Sequence, residues 1–147
     1  LEFRRVLFRS YVHREKPLPF RGIEDLHGKR IGVIRGWSYT EEFDQAARTG
    51  QIDAQEGSSD EANLRKLASG RLDAVIAIEL AGQRLLTHAG LEQLEPLPQP
   101  LSINPTYLVF ARAAGQQELL QRFDRTLAEM RQDGSLQRLI EQAIATP

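Results

Sequence analysis

From Lys29 to Gly90 the chain alternates short apolar runs with amphipathic stretches, and this alternation restricts the possible folds more than any other feature. In "KRIGVIRGWSYTEEFDQAARTG" the run Ile31 to Ile34 reads as a buried strand closed by Gly36, and helical spacing follows. The spacing predicts a helix from about Ser38 to Arg48. Ser38 is placed as its N-cap, where a hydroxyl accepts from an otherwise unpaired first-turn amide. Glu41 and Glu42 complement the positive end of the helix dipole, and Gly50 suits the stop. "QIDAQ" predicts a short strand. "SSDEANLRKLASG" predicts a second helix, with Ser58 and Glu61 at capping-box spacing, Leu64 and Leu67 as apolar positions and Gly70 as terminator. "LDAVIAI" is an unbroken apolar run, as expected of a parallel-sheet strand covered on both faces, and "ELAGQRLLTHAG" continues as a helix ending near Gly90. Together these units predict an α/β layer architecture with crossover helices.

The remainder of the chain has a different rhythm. "PLPQPLSINP" reads as a proline-rich connector, "TYLVFARA" as a strand, and residues 116–145 as two amphipathic helices broken at Asp133-Gly134. Leu119, Leu120, Phe123, Leu127 and Met130 recur at helical spacing, and Leu136, Leu139, Ile140 and Ile144 continue the stripe. Such a stripe is expected to be core rather than a cofactor box, which raises the question of what it packs against.

Composition removes several function classes. The 147 residues suffice for one ordinary domain, and 41% are hydrophobic. Without residues 1–10, which hold three Arg and one Glu, 16 basic and 19 acidic side chains remain, a formal charge of −3. That balance, with no clustered basic face, gives no support for a nucleic-acid partner. The absence of cysteine excludes disulfides, Cys-based metal sites and a Cys nucleophile. No apolar run approaches the roughly 18 residues of a membrane span. The opening segment lacks the features of a signal peptide, and the chain does not open on Met.

The order "IEDLHGKRIGVIRGWSY", "LRKLASGRLDAVIAIELAGQRLL", "YLVFARAAGQQELLQRFDRTLAEMRQDGSLQRLI" resembles the latter half of the family 3 extracellular solute-binding proteins of ABC importers, over roughly residues 11 to 145. The resemblance implies a type II periplasmic-binding-protein lobe, with a parallel-rich sheet and flanking helices, plus C-terminal helices that belong to a truncated first lobe. It implies an exported protein, monomeric when full length, that binds an amino acid or related small polar solute between two lobes and delivers it to an ABC permease. No cofactor and no metal are expected. Residues 11–21 then stand as the first hinge strand and linker, 22–104 as the second lobe, and 105–147 as the return hinge strand and the helices that pack on the first lobe. An enzyme on the same fold, such as a periplasmic dehydratase acting on a cyclic acid, and the sensing domain of a regulator or sensor kinase are the alternatives.

"LEFRRVLFRS" resembles, residue for residue, one frame of a short-read sequencing adapter. Residues 1–10 are therefore expected to be non-native, to carry no function, and to stand where the first lobe has been lost.

In open parallel sheets ligands gather beyond the carboxyl ends of the strands. "RGWSY" and "IEL" occupy such positions, so Gly36, Trp37, Ser38, Tyr39 and Glu79 are the candidate ligand-binding residues. Amides at the start of the Ser38 helix, with the Ser38 hydroxyl, suit a ligand carboxylate, and Trp37 or Tyr39 suits an apolar or planar part. Ser38 serves equally as a plain N-cap, Trp37 as a surface plug, and Tyr39 as a solvent-facing residue. The resemblance implies that the position matching Ser38 contacts the ligand carboxylate. It also implies an Asp near the end of the "LDAVIAI" strand for the ligand ammonium, but alignment through "GRLDAV" puts Ile78 there. Glu79 substitutes only by a one-residue shift, which reverses its facing on a strand; its alternative role is a helix N-terminal carboxylate. His13, His27 and His88 lack metal-ligand spacing. Asp73 reads as a backbone-bonding residue, Ser58 and Ser59 lack a nearby His in sequence, and neither glycine loop is a phosphate loop. No reaction centre is expected.

Overall fold

A computed structural model describes residues 2–88, 90–107 and 115–145. Two compact units emerge: residues 6–104, and residues 105–147 with the first five residues. The larger unit contains most of a six-stranded sheet of order β3-β2-β4-β1-β5, with β6 also paired to β1. The strands are β1 (Glu2–His13), β2 (Arg30–Ile34), β3 (Asp53–Gly57), β4 (Ala74–Ile78), β5 (Leu94–Pro96) and β6 (Ser102–Tyr107). Three helices interleave with them: α1 (Glu41–Arg48), α2 (Asp60–Ala68) and α3 (Glu79–His88).

β2 pairs in parallel with both β3 and β4, whereas β1 runs antiparallel between β4 and β5. Because side chains alternate across a sheet, β1 and β4 feed two cores. Ala74 and Ile76 of β4, Ile31 and Val33 of β2, and Phe8 and Val12 of β1 join Phe43 and Ala46 of α1 on one face. Val75 and Ala77 of β4 and Tyr11 of β1 join Leu64 and Leu67 of α2 on the other. β4 is therefore covered on both faces, as its unbroken apolar sequence requires, although one of its two neighbours is antiparallel.

Close approach explains two glycines. A Cβ on Gly32 would stand 2.7 Å from Leu72 Cδ1, so α2 and its following loop sit tightly on β2. A Cβ on Gly82 would stand 2.2 Å from the Tyr11 ring, so α3 reaches β1 only because that position is bare. Asn63 is fully buried beneath β2 and donates from Nδ2 to the Val33 carbonyl at 3.0 Å.

Several expectations are corrected. Residues 2–10, part of the segment expected to be non-native and to carry no function, supply most of β1: Phe8, Arg9 and Ser10 are in register with Ile78, Ala77 and Ile76. Strand pairing is a main-chain interaction, so a segment of β-compatible residues fills a vacant sheet position whatever its origin. The strand ends at His13, and residues 14–20 form a turn and an extended stretch rather than a hinge strand running further. The first helix begins at Glu41, capped by Thr40, whose hydroxyl accepts from Phe43 N–H at 3.1 Å; Ser38 is not the cap. The second helix is capped by Ser59 rather than Ser58, accepting from Ala62 N–H at 3.1 Å, and Glu61 bonds Arg65 instead of closing a capping box. The last strand opens at Ser102 inside the proline-rich stretch, with Pro105 in it; residues 108–113 of "TYLVFARA" lie outside the described residues.

In the smaller unit α4 (Gln117–Gln132) and α5 (Ser135–Ala145) pack on each other. They are separated at Asp133 and Gly134, where Gly134 takes φ 74°, a left-handed conformation that ends a helix cheaply only for glycine. Leu127 is buried, whereas Leu119 and Leu139 are 47% and 52% exposed.

Candidate functional site

The parallel strands β2, β3 and β4 end together at Ile34, Gly57 and Ile78, and α1, α2 and α3 begin just beyond them. Three helix N-termini thus converge on one rim, where unpaired amides favour acceptors and anions. The antiparallel β1 brings Phe8 to the same rim, opposite Ile78.

The first wall is the segment between β2 and α1. Trp37 N–H donates to the Ile34 carbonyl at 3.1 Å, closing a turn in which Gly36 takes φ 76°. Asp44 then gathers the segment: Ser38 donates its hydroxyl to Asp44 Oδ2, and Tyr39 N–H donates to Asp44 Oδ1 at 3.3 Å. The Ser38 proton is therefore engaged within the protein, and its oxygen is what remains for a ligand donor. The amides of Glu41 and Glu42, in the first turn of α1, meet no protein acceptor among the described residues.

Tyr39 is buried rather than solvent-facing, and its hydroxyl oxygen accepts from Ile34 N–H at 2.9 Å. Burial raises its phenol above the ordinary value, so it stays neutral. Trp37, Phe8, Tyr39 and Phe43 form an edge-to-face series: Phe8 lies 6.1 Å from Trp37 and 5.1 Å from Tyr39, and Tyr39 lies 5.6 Å from Phe43. Trp37 ends the series 48% exposed, leaving an aromatic face available at the rim. Beside it an open concavity of about 400 Å³ runs from Trp37 and Ser38 past Phe43 and Ala47 to Arg48 and Glu56.

The second wall is the start of α3. Glu79 is the first residue of the helix, following Ile78 without a loop. Its carboxylate meets Arg9 Nη2 at 2.9 Å and accepts from Gln83 Nε2 at 3.4 Å, while its carbonyl accepts from the Tyr11 hydroxyl at 2.9 Å. Arg9 is held in turn by the carbonyls of Leu97, at 2.7 Å, and Pro98. Burial, reinforced by the Glu79 charge, pushes the Tyr11 phenol well above its ordinary value.

The third wall is the start of α2, which the sequence reading did not include. Asp60, its first residue, is half-buried, and its Oδ1 is buried without a hydrogen-bond partner. Burial holds its carboxyl above the usual range, and its charge is felt by both Tyr11 and Tyr39. The available signal was positional: "SSD" follows β3 just as "WSYT" follows β2.

At the opposite edge of the sheet another concavity, of about 390 Å³, is lined by His13, Lys16, Lys29 and Asp73 among others. It faces the amino ends of the parallel strands, away from the converging helix starts. Asp73 there clamps Arg30, accepting from its N–H at 2.9 Å and from its guanidinium at 3.1 and 2.8 Å, which holds the Asp73 carboxyl below the usual range. Among the described residues no group of three or more His, Cys, Asp or Glu is placed to hold a metal ion, and no helix is long and apolar enough to cross a membrane.

A solved structure of the probable amino-acid ABC transporter extracellular-binding protein ytmK from Bacillus subtilis superposes on 95% of this chain with a TM-score of 0.76, at 24% identity, and 60% of that protein is covered. The fold is that of a type II periplasmic-binding-protein domain. The same type II architecture appears in a histidine kinase sensor domain with similarity to periplasmic binding proteins, at a TM-score of 0.68 and 25% identity over 97% of this chain and 60% of that one. In sequence the chain is 29% identical over 118 residues to the L-cystine-binding protein TcyJ of Escherichia coli K12, a match covering 80% of this chain. It spans 42% of that relative's length. No protein-family model matches the chain. The resemblance to amino-acid solute-binding proteins of ABC transporters read from the sequence is borne out.

Proposed function

We propose that this chain supplies one jaw of an exported, two-lobed receptor that binds an amino acid or a related small polar solute and passes it to an ABC permease. The observation that carries this reading is the rim itself. Three helix starts, an exposed indole and paired polar and acidic groups gather where a type II domain presents its ligand surface, and TcyJ and ytmK, to which the chain is similar, are binding proteins by name. In this reading the free first-turn amides of α1 take the ligand carboxylate, and Trp37 covers the ligand from one side. Gly36 sets the turn, and Ser38 contributes its oxygen while Asp44 holds its proton. The role is binding, not catalysis. Closure of a second lobe over the rim, favoured by its contacts with the ligand, would complete the cycle. The exposed Leu119 and Leu139 would then be covered by that lobe.

The test is titration of the isotope-labelled chain with a panel of amino acids, followed by amide NMR. The expected result is fast-exchange shifts confined to residues 36–42, with calorimetry showing no tight binding because half the cleft is absent. Submicromolar affinity in this chain, or shifts elsewhere only, would refute the one-jaw account.

A second reading is favoured by the likeness to the kinase sensor domain: the same rim would serve ligand sensing instead of delivery. Ligand chemistry would be shared, and the downstream partner would separate the two.

A further inference from the structure

We propose that Asn63 is a positioning residue for the first wall of the rim: it fixes the peptide plane from which loop 35–39 departs. The proposal rests on the ligand reading above, and three observations lead to it. First, Asn63 is fully buried on α2, out of reach of any ligand, yet its Nδ2 donates to the Val33 carbonyl at 3.0 Å. Second, the peptide that carries this carbonyl also carries Ile34 N–H, which donates to the Tyr39 hydroxyl oxygen at 2.9 Å. One plane at the last step of β2 is therefore gripped at its oxygen from α2 and at its nitrogen from the loop itself. The next plane is gripped as well: Arg35 N–H donates to the Gly57 carbonyl and Trp37 N–H to the Ile34 carbonyl, each at 3.1 Å. Third, Gly57, the last residue of β3, is bare where the Asn63 amide lies, and a Cβ there would stand 2.6 Å from Asn63 Cγ. The amide is a wedge between the ends of two strands.

Core packing alone does not call for an amide here. The other buried residues of α2 are Leu64 and Leu67, and Asn63 Oδ1 has no hydrogen-bond partner among the described residues, so the side chain carries a desolvation cost that a leucine of similar volume would avoid. What an amide supplies, and an aliphatic group cannot, is a directional hold on one carbonyl. If the plane between Val33 and Ile34 turns, everything after it turns too: the Gly36 turn, the Trp37 indole and the first-turn amides of α1. Holding these groups in place before a ligand arrives lowers the ordering cost of binding. Asn63 touches no ligand in this account and acts only through the backbone.

Trp37 is the sole tryptophan of the chain, so its fluorescence reports on the loop without any ligand. The experiment compares Asn63→Leu with Leu67→Ala, a buried change one turn along the same helix that leaves the plane its bond, each under conditions where the chain is folded. Asn63→Leu is expected to shift Trp37 emission to longer wavelength and to raise its quenching by acrylamide. It should also weaken the response of residues 36–42 to propionate about fivefold, the weight of one hydrogen bond. Leu67→Ala is expected to lower the unfolding midpoint and leave the Trp37 signal in place. Gly57→Ala, which pushes the amide away from the other side, should reproduce the Asn63→Leu signal. A Trp37 signal unchanged in Asn63→Leu or in Gly57→Ala, or moved as far by Leu67→Ala, overturns the proposal. Should those variants fold poorly, Tyr39→Phe decides: it frees the other end of the plane and should move the Asn63 side-chain amide resonances of the labelled chain, and resonances that stay in place overturn the proposal as well. Propionate that moves nothing at residues 36–42 of the unsubstituted chain, while Trp37 still responds to Asn63→Leu, counts against the ligand reading and supports the positioning of the loop.

Discussion

The Tyr11 ring occupies the space that a side chain on Gly82 would need: a Cβ there would stand 2.2 Å from the phenol. α3 therefore rests directly on β1, and the Tyr11 hydroxyl reaches the first carbonyl of the helix. In an exposed helix Gly→Ala stabilises. Here overpacking dominates, and Gly82→Ala is expected to cost about 1–3 kcal/mol in urea unfolding. A stability equal to or above that of the parent would show that β1 does not pack where the structure places it.

The cap and the proposed ligand contact fall on different residues at the start of α1. Thr40→Ala removes the side chain that accepts from Phe43 N–H and should cost about 1 kcal/mol. Ser38→Ala removes an exposed bond to Asp44 and should change stability by no more than about 0.5 kcal/mol. The pair is read by thermal unfolding, and a larger loss at Ser38 than at Thr40 would return the capping role to Ser38.

Two carboxyls should give stability slopes of opposite sign. Asp73, held low by Arg30, binds its proton less readily folded than unfolded, so its contribution is present above the ordinary carboxylate range and fades as pH falls through the lowered value. Asp60, held high by burial, binds its proton more readily folded, so its contribution is present at low pH and fades as pH rises through the raised value. Unfolding midpoints followed from acid to neutral pH should therefore rise less steeply in Asp73→Asn than in the parent chain, and more steeply in Asp60→Asn. The same direction of change in both would contradict the structure.

Phe8 tests the opening segment. It is 7% exposed and touches both Trp37 and Tyr39, so Phe8→Ala should cost about 3–5 kcal/mol by chemical denaturation. Replacing residues 2–7 with another β-forming sequence should leave the fold intact, because pairing there is expected to depend on main chain more than on identity. An unchanged midpoint in Phe8→Ala would place the segment outside the sheet.

The sequence made the β2-α1-β3-α2-β4-α3 alternation readable because each unit couples a period to a terminator: Ile31 to Ile34 ends at a turn glycine, and Leu64 and Leu67 precede Gly70. Boundaries were less readable, since Ser38 and Thr40, or Ser58 and Ser59, offer the same hydroxyl, and only the extended backbone of the true cap decides between them. The place of residues 2–10 in the sheet was not legible from their origin, because a central sheet position constrains backbone pairing more than side-chain type. At the rim, Trp37 and Tyr39 were visible as types, but the burial of Tyr39 depends on Phe8 and Phe43, which are distant in the chain or on another element. Asp60 was invisible for a similar reason: a carboxylate at a helix start is ordinary, and its missing donor is a fact of three dimensions.

The sheet order also sets a timetable. β1 precedes every strand it pairs with, and the two that flank it in the sheet are β4 and β5, the latter ending at Pro96, with β6 paired to it as well. Synthesis must therefore pass residue 96, and carry it clear of the exit tunnel, before β1 can be framed on both sides. Until then Phe8 and Val12 are exposed on an unpaired ribbon, and the β2-to-β4 parallel unit can assemble alone. Such long-range closure is slow, and the insertion of β1 between β4 and β5 is expected to be the slow step in completing this sheet.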